Sequence, residues 1–181
     1  MQKMGWLVSD TAELFFDDCV VPAENLIGAE NGGFRMIAAN FQAERLILAV
    51  IANMTAELAL AAALDHARAR HAFGSPLSGH QTIRHKLAEM ATMVEASRVF
   101  AYACAARLQT GESIVGQVSM AKNLATDTCD RATYDAVQIF GGSGYMRGSL
   151  VERLYRDARI LSIGGGTREI MLEIIARQMG L

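Results

Sequence analysis

Leu46-Ile47-Leu48-Ala49-Val50-Ile51-Ala52-Asn53-Met54-Thr55-Ala56-Glu57-Leu58-Ala59-Leu60-Ala61-Ala62-Ala63-Leu64 decides the fold. It contains no proline or glycine, and Leu46, Val50, Met54, Leu58, Ala61 and Leu64 recur at helical spacing to form one broad apolar face. Asn53, Thr55 and Glu57 interrupt it and alanine dominates, so the stretch reads as a buried helix of a bundle rather than a membrane span. Extended to its polar ends, the helix is expected from about Ala43 to Arg70, preceded by a short separate helix from Asn31 to about Asn40.

Working outward, His71-Ala72-Phe73-Gly74-Ser75-Pro76-Leu77-Ser78-Gly79 breaks the pattern with glycines and a proline. A second long helix is expected from about His80 to Thr110, with Ile83, Leu87, Met90 and Val94 on its apolar face and Gly111 as its stop. A third runs from about Glu112 to Phe140 and ends at Gly141-Gly142-Ser143-Gly144. A fourth covers about Leu150 to Leu161. Beyond Gly164-Gly165-Gly166, Thr167 caps a fifth, with Glu169 in its first turn, where the helix dipole favours an acid. Three helices near 30 residues would each be about 45 Å long. The fold class is therefore mainly α, an up-and-down helical bundle over residues 31–181.

Residues 1–30 differ. Leu14-Phe15-Phe16-Asp17-Asp18-Cys19-Val20-Val21-Pro22 has the aromatic and β-branched character of strands. With no partner strands downstream, it reads as a short N-terminal β remnant.

Composition narrows the function. Hydrophobic residues make up 51% and charged residues 20% of the 181, too apolar for a disordered chain. A net charge of −2 with scattered lysines and arginines leaves no basic footprint for nucleic acid. Cys19, Cys104 and Cys129 are too widely spaced for a zinc site and read as reduced thiols of a cytoplasmic protein. The residues after Met1 lack the apolar core of a secretory leader. No metal or membrane role is expected, and His71, His80 and His85 are read as surface residues.

Taken singly, the polar motifs say little. Glu44-Arg45 is usually a solvated pair. Gly141-Gly142-Ser143-Gly144 lacks the strand-turn-helix setting of a dinucleotide fingerprint. Gly164-Gly165-Gly166-Thr167 permits close backbone approach to a ligand, or simply flexibility. Their order carries more. Glu44-Arg45-Leu46, Arg70-His71-Ala72-Phe73-Gly74, Gln81, Asp135-Ala136-Val137-Gln138-Ile139-Phe140-Gly141-Gly142-Ser143-Gly144-Tyr145, Arg156-Asp157-Ala158-Arg159 and Gly166-Thr167-Arg168-Glu169-Ile170 together resemble the acyl-CoA dehydrogenases. Met4-Gly5-Trp6 and Val21-Pro22-Ala23-Glu24-Asn25-Leu26-Ile27-Gly28 fit the end of that family's middle β-domain. The resemblance covers essentially the whole chain. It implies residues 1–30 as a remnant of the middle β-domain and 31–181 as the C-terminal helical bundle of a protein about twice as long.

The same resemblance implies FAD as cofactor and an acyl-CoA thioester as substrate. Arg70, Phe73, Gln81, Gln138, Gly142, Thr167 and Glu169 match cofactor-binding positions. Arg70, Phe73 and Gln81 would serve one subunit's flavin and Gln138 and Gly142 another's, which calls for a dimer or tetramer. Most members place the catalytic glutamate just before the Gly-Thr of the last loop, where this chain has Gly165. A branch that includes isovaleryl-CoA and long-chain dehydrogenases places it on the long helix in a Glu-Arg-Leu context, which makes Glu44 the expected base. The Gly165 N–H would polarise the thioester carbonyl. Phe41, Gln42, Arg45, Gly164 and Gly166 match substrate-binding positions, and Gly164 in place of a tyrosine hints at branched or bulky acyl chains. The expected electron acceptor is an electron-transfer flavoprotein. Two other readings remain: a non-catalytic helical oligomerisation fragment, or flavoenzyme chemistry of the acyl-CoA oxidase or nitroalkane oxidase kind.

Overall fold

The computed structural model describes residues 1–181. Three long antiparallel helices form its body: α1, Gly33–Ala69; α2, Gln81–Gln109; and α3, Val115–Phe140. Between α1 and α2 lies a two-residue-strand hairpin, β1 (His71–Ala72) with β2 (Ser75–Pro76), paired antiparallel. A short helix α4 (Gly142–Tyr145), then α5 (Leu150–Ala158) and α6 (Arg168–Gln178), pack along α3. The expected up-and-down helical bundle is present.

α1 is one continuous helix of 37 residues, not two. Asn40-Phe41-Gln42-Ala43 holds neither glycine nor proline, so no backbone reason exists for the break expected there. The buried face also differs from the expected one. Val50, Met54 and Leu58 are exposed, while Ala49, Ala52, Ala56, Ala59, Ala63 and Ala67 are wholly buried. α3 answers with its own small residues, Ala121, Ala125, Cys129, Ala132 and Ala136, all buried. Small side chains on both sides let two helices approach closely and fill the seam without voids. Burial in it pushes the Cys129 thiol up to about 12. Cys19, Cys104 and Cys129 are all free. α1 is long and apolar enough to cross a membrane by length and composition, but its alanine face is packed against α3.

Residues 14–22 form no strand, and Phe15 and Phe16 are exposed. A strand needs a ladder partner, and this chain supplies none. Residues 4–6, by contrast, are stitched to α5. Trp6 N–H donates to Asp157 Oδ1 at 2.7 Å, and a Cβ on Gly5 would come within 2.5 Å of Arg156 O. Two sequence motifs, Met4-Gly5-Trp6 and Arg156-Asp157, thus meet.

Candidate functional site

The site begins with α1. One turn of it carries Phe41, Glu44 and Arg45. The Arg45 side chain is buried, turned inward, with its guanidinium 5.0 Å from the centre of the Phe41 ring. Its Nε donates to Gly165 O at 3.0 Å. Burial lowers the Arg45 pKa, against the opposing pull of the neighbouring Glu44 carboxylate. Glu44 itself is exposed.

Gly164-Gly165-Gly166 reaches this turn from the other side. Gly165 (φ +67°) and Gly166 (φ +104°) lie in the left-handed region that glycine tolerates. A Cβ on Gly165 would stand 2.7 Å from Leu48 Cδ1, whereas one on Gly164 would meet only Ile160 O at 3.4 Å. A side chain at 165 would therefore strain the backbone and push Leu48 aside, whereas one at 164 is accommodated. The loop has a second anchor from α3: Lys122, wholly buried, donates through Nζ to Gly166 O at 2.6 Å. Burial lowers the Lys122 pKa, and the Arg45 charge adds to that. Neither Gly165 nor Gly166 donates its own N–H within the chain. Thr167 then caps α6 as expected, its hydroxyl accepting from Ile170 N–H at 3.4 Å. The Glu169 carboxyl is held below the usual range, first by its own backbone N–H and then by the Thr167 hydroxyl. The Oδ1 of buried Asn123, beside Lys122, has no hydrogen-bond partner.

A second group lies at the opposite end of α1, 26 residues and about 40 Å from Glu44. Arg70 ends the helix, and Phe73-Gly74 form the two-residue hairpin turn, both with positive φ (+54° and +82°). That turn demands positive φ at both positions, and a bulky Phe in it is held at a cost. Phe73 is 97% exposed, so packing within the chain does not explain it. His80, expected at the surface, is half-buried inside the hairpin, with Nε2 3.1 Å from Ala72 O and 3.2 Å from Ser75 Oγ. Gln81 opens α2. The end of α3 arrives at the same place: the His66 ring stacks on Phe140 at 4.1 Å, and Lys86 pairs with buried Asp135. Gln138 and Gly142 therefore share an end of the bundle with Arg70, Phe73 and Gln81. The Arg70 charge is close enough to help depress the His66 pKa, after burial. A Cβ on Gly141 or Gly142 would meet nothing within 4 Å.

A family model, acyl-CoA dehydrogenase C-terminal domain, matches residues 31–180. The chain belongs to the acyl-CoA dehydrogenase family. It is 43% identical over 178 residues to an acyl-CoA dehydrogenase of Bacillus subtilis, covering 98% of this chain and 47% of the relative. It is 40% identical over 179 residues to the mitochondrial long-chain specific acyl-CoA dehydrogenase of Mus musculus, covering 99% and 42%. The crystal structure of a probable acyl-CoA dehydrogenase from Mycobacterium abscessus superposes with a TM-score of 0.98 at 57% identity, over 99% of this chain and 48% of that one. The chain thus spans less than half the length of the acyl-CoA dehydrogenases it matches.

Within this acyl-CoA dehydrogenase bundle, the structure brings Phe41, Glu44, Arg45 and Gly164–Glu169 together at one site. It gathers Arg70, Phe73, Gln81, Gln138 and Gly142 at the other. Lys122 and Leu48 were not among the residues singled out from sequence. The available signal for Lys122 was its setting, with Val118, Ser119, Ala125 and Thr126 one turn away on either side, a stripe too apolar for a solvated lysine.

Proposed function

We propose that this chain supplies the helical half of an FAD-dependent acyl-CoA dehydrogenase, in which Glu44 removes the α-proton of an acyl thioester. The observation that carries the reading is the pairing of Glu44 with a glycine loop, residues 164–166, that carries no acid. Arg45 binds Gly165 O, and a Cβ on Gly165 would press on Leu48 Cδ1. The carboxylate that adjoins the loop contact is Glu44, on α1 next to Arg45.

Proton abstraction by a carboxylate needs a water-poor slot. Glu44 is exposed in this chain, and the exposed residues Phe34, Ile37, Ile47 and Ile51 on the same helix offer apolar surface for whatever closes over it. The unpaired Gly165 N–H is free to donate to the thioester oxygen as negative charge develops there. Arg45, expected to touch substrate, is committed to the loop and acts as its support. Gly164 tolerates a side chain in this backbone, so its glycine widens the slot rather than satisfying the fold, which supports branched or bulky acyl chains.

When bound, FAD would supply the acceptor for the β-hydride. The residues fit it. Arg70 offers a planar fork of donors with no carboxylate partner to a pyrophosphate, Gln81 and Gln138 offer amides, and Gly142 leaves its surroundings open. Arg70, Phe73 and Gln81 would serve one subunit's flavin and Gln138 and Gly142 another's, while Thr167 and Glu169 stand with Glu44 far from all five. That separation favours a dimer or tetramer, and an electron-transfer flavoprotein remains the proposed acceptor.

The test is to add FAD, then branched or straight acyl-CoA anaerobically, to the protein that contains this chain. Flavin absorbance that bleaches with one class of thioester supports the reading and names the class. Bound flavin that no acyl-CoA bleaches would contradict it.

A further inference from the structure

Lys122 has no part in the chemistry proposed so far, and it is the largest side chain that the fold buries completely. A lysine is placed so only where its ammonium finds acceptors, since burial without them would force it neutral or unfold the site. The acceptor here is Gly166 O, 2.6 Å from Nζ. Arg45 does the same for the preceding residue, Nε to Gly165 O at 3.0 Å. Two buried cations, one from α3 and one from α1, thus hold two successive carbonyls of a loop whose residues both have positive φ. Each carbonyl shares its peptide plane with the next N–H, so the two bonds hold the Gly165–Gly166 and Gly166–Thr167 planes and restrain the adjoining Gly164–Gly165 peptide from one side. The Gly165 N–H, which that adjoining peptide carries, has no acceptor within the chain.

We infer that Lys122 is a positioning residue that, with Arg45, clamps the glycine loop so that the Gly165 N–H is presented to the thioester oxygen. This rests on the proposed desaturation of acyl thioesters, and it assigns Lys122 no contact with substrate. Removing the clamp leaves three glycines free to reorient. A displacement of about 1 Å in a catalytic hydrogen bond costs on the order of a hundredfold in rate.

The experiment compares wild type, Lys122→Met and Lys122→Arg in the flavin-containing protein. Lys122→Met keeps most of the volume and removes the donor, while Lys122→Arg restores one. Two readouts are taken besides unfolding temperature. One is the infrared C=O stretch of a carbonyl-13C enoyl-CoA bound to each protein, which reports polarisation of that oxygen. The other is deuterium exchange over residues 163–167 of the chain. The expected result is a ten- to hundredfold fall in kcat for Lys122→Met, with KM changed less than about twofold. The bound C=O stretch moves toward its value in water, loop exchange speeds up, and Lys122→Arg recovers part of each. An unchanged C=O stretch and kcat in Lys122→Met would overturn the inference while leaving the dehydrogenase reading intact. A Lys122→Met protein that loses stability but keeps its C=O stretch would also overturn it, reducing Lys122 to a structural role. Failure of the wild type to bind or bleach with any thioester would instead defeat the functional reading beneath it.

Discussion

The two ends of α1 are built on opposite plans. At the Glu44 end, cations are buried and already paired with the chain's own carbonyls: Arg45 with Gly165 and Lys122 with Gly166. At the Arg70 end, the groups of interest face outward, with Phe73 97% exposed and Arg70 in no ion pair. The first end is pre-organised by the chain itself, so its geometry is fixed before any ligand arrives. The second offers donors and a strained, exposed aromatic ring to something outside the chain. A residue at the first end should matter to stability and to chemistry together. One at the second should matter to binding and scarcely to stability.

The sharpest contrast is Arg70→Ala. It should weaken FAD binding about ten- to a hundredfold, the loss of a charge-assisted hydrogen bond worth roughly 1.5–3 kcal/mol. The unfolding free energy should change by no more than about 0.5 kcal/mol. Fluorescence titration and urea unfolding read the two, and a large loss of stability would break the comparison. Arg45→Ala should do the reverse and cost about 1–3 kcal/mol of stability, because it leaves Gly165 O unpaired and exposes the Phe41 ring. FAD affinity at the Arg70 end should hold.

The smallest effect is a pH slope. Burial and Arg45 set the folded pKa of Lys122 below the ordinary lysine value, 10.5, which the unfolded chain retains. Between those two values the unfolded state binds more protons, so this group makes folding more favourable as pH rises. Its unfavourable contribution is fully present below the folded pKa and gone above 10.5. Urea midpoints measured through the alkaline range should therefore rise less steeply with pH in Lys122→Met than in wild type. Identical slopes would mean that the ammonium is not desolvated in solution.

Much of this was legible in the sequence, and the exceptions have physical reasons. The ends of α2 and α3 fall within a few residues of expectation, because Gly111 and Gly141 supply positive-φ stops. The Thr167 cap was legible for the same local reason. The buried face of α1 was misassigned because bulk and hydropathy favour Val50, Met54 and Leu58 over alanine. Only the facing alanines and Cys129 of α3 show that the seam must be thin. The segment 14–22 carries strand propensity, yet propensity forms no strand without a partner. For the site, side-chain chemistry pointed to Glu44, Arg70 and Gln138 through order along the chain. The clamp was hidden because Lys122 acts through a backbone carbonyl 44 residues away, and no local pattern records that meeting.

The central claim is that the base stands on α1 and not on the glycine loop. Glu44→Gln in the flavin-containing protein tests it, read by exchange of the thioester α-proton with deuterated solvent. The account predicts that FAD stays bound, the glycine loop stays clamped, and exchange falls by at least about a hundredfold, the scale of a lost general base. Exchange at the wild-type rate would contradict it and move the base to a residue outside this chain.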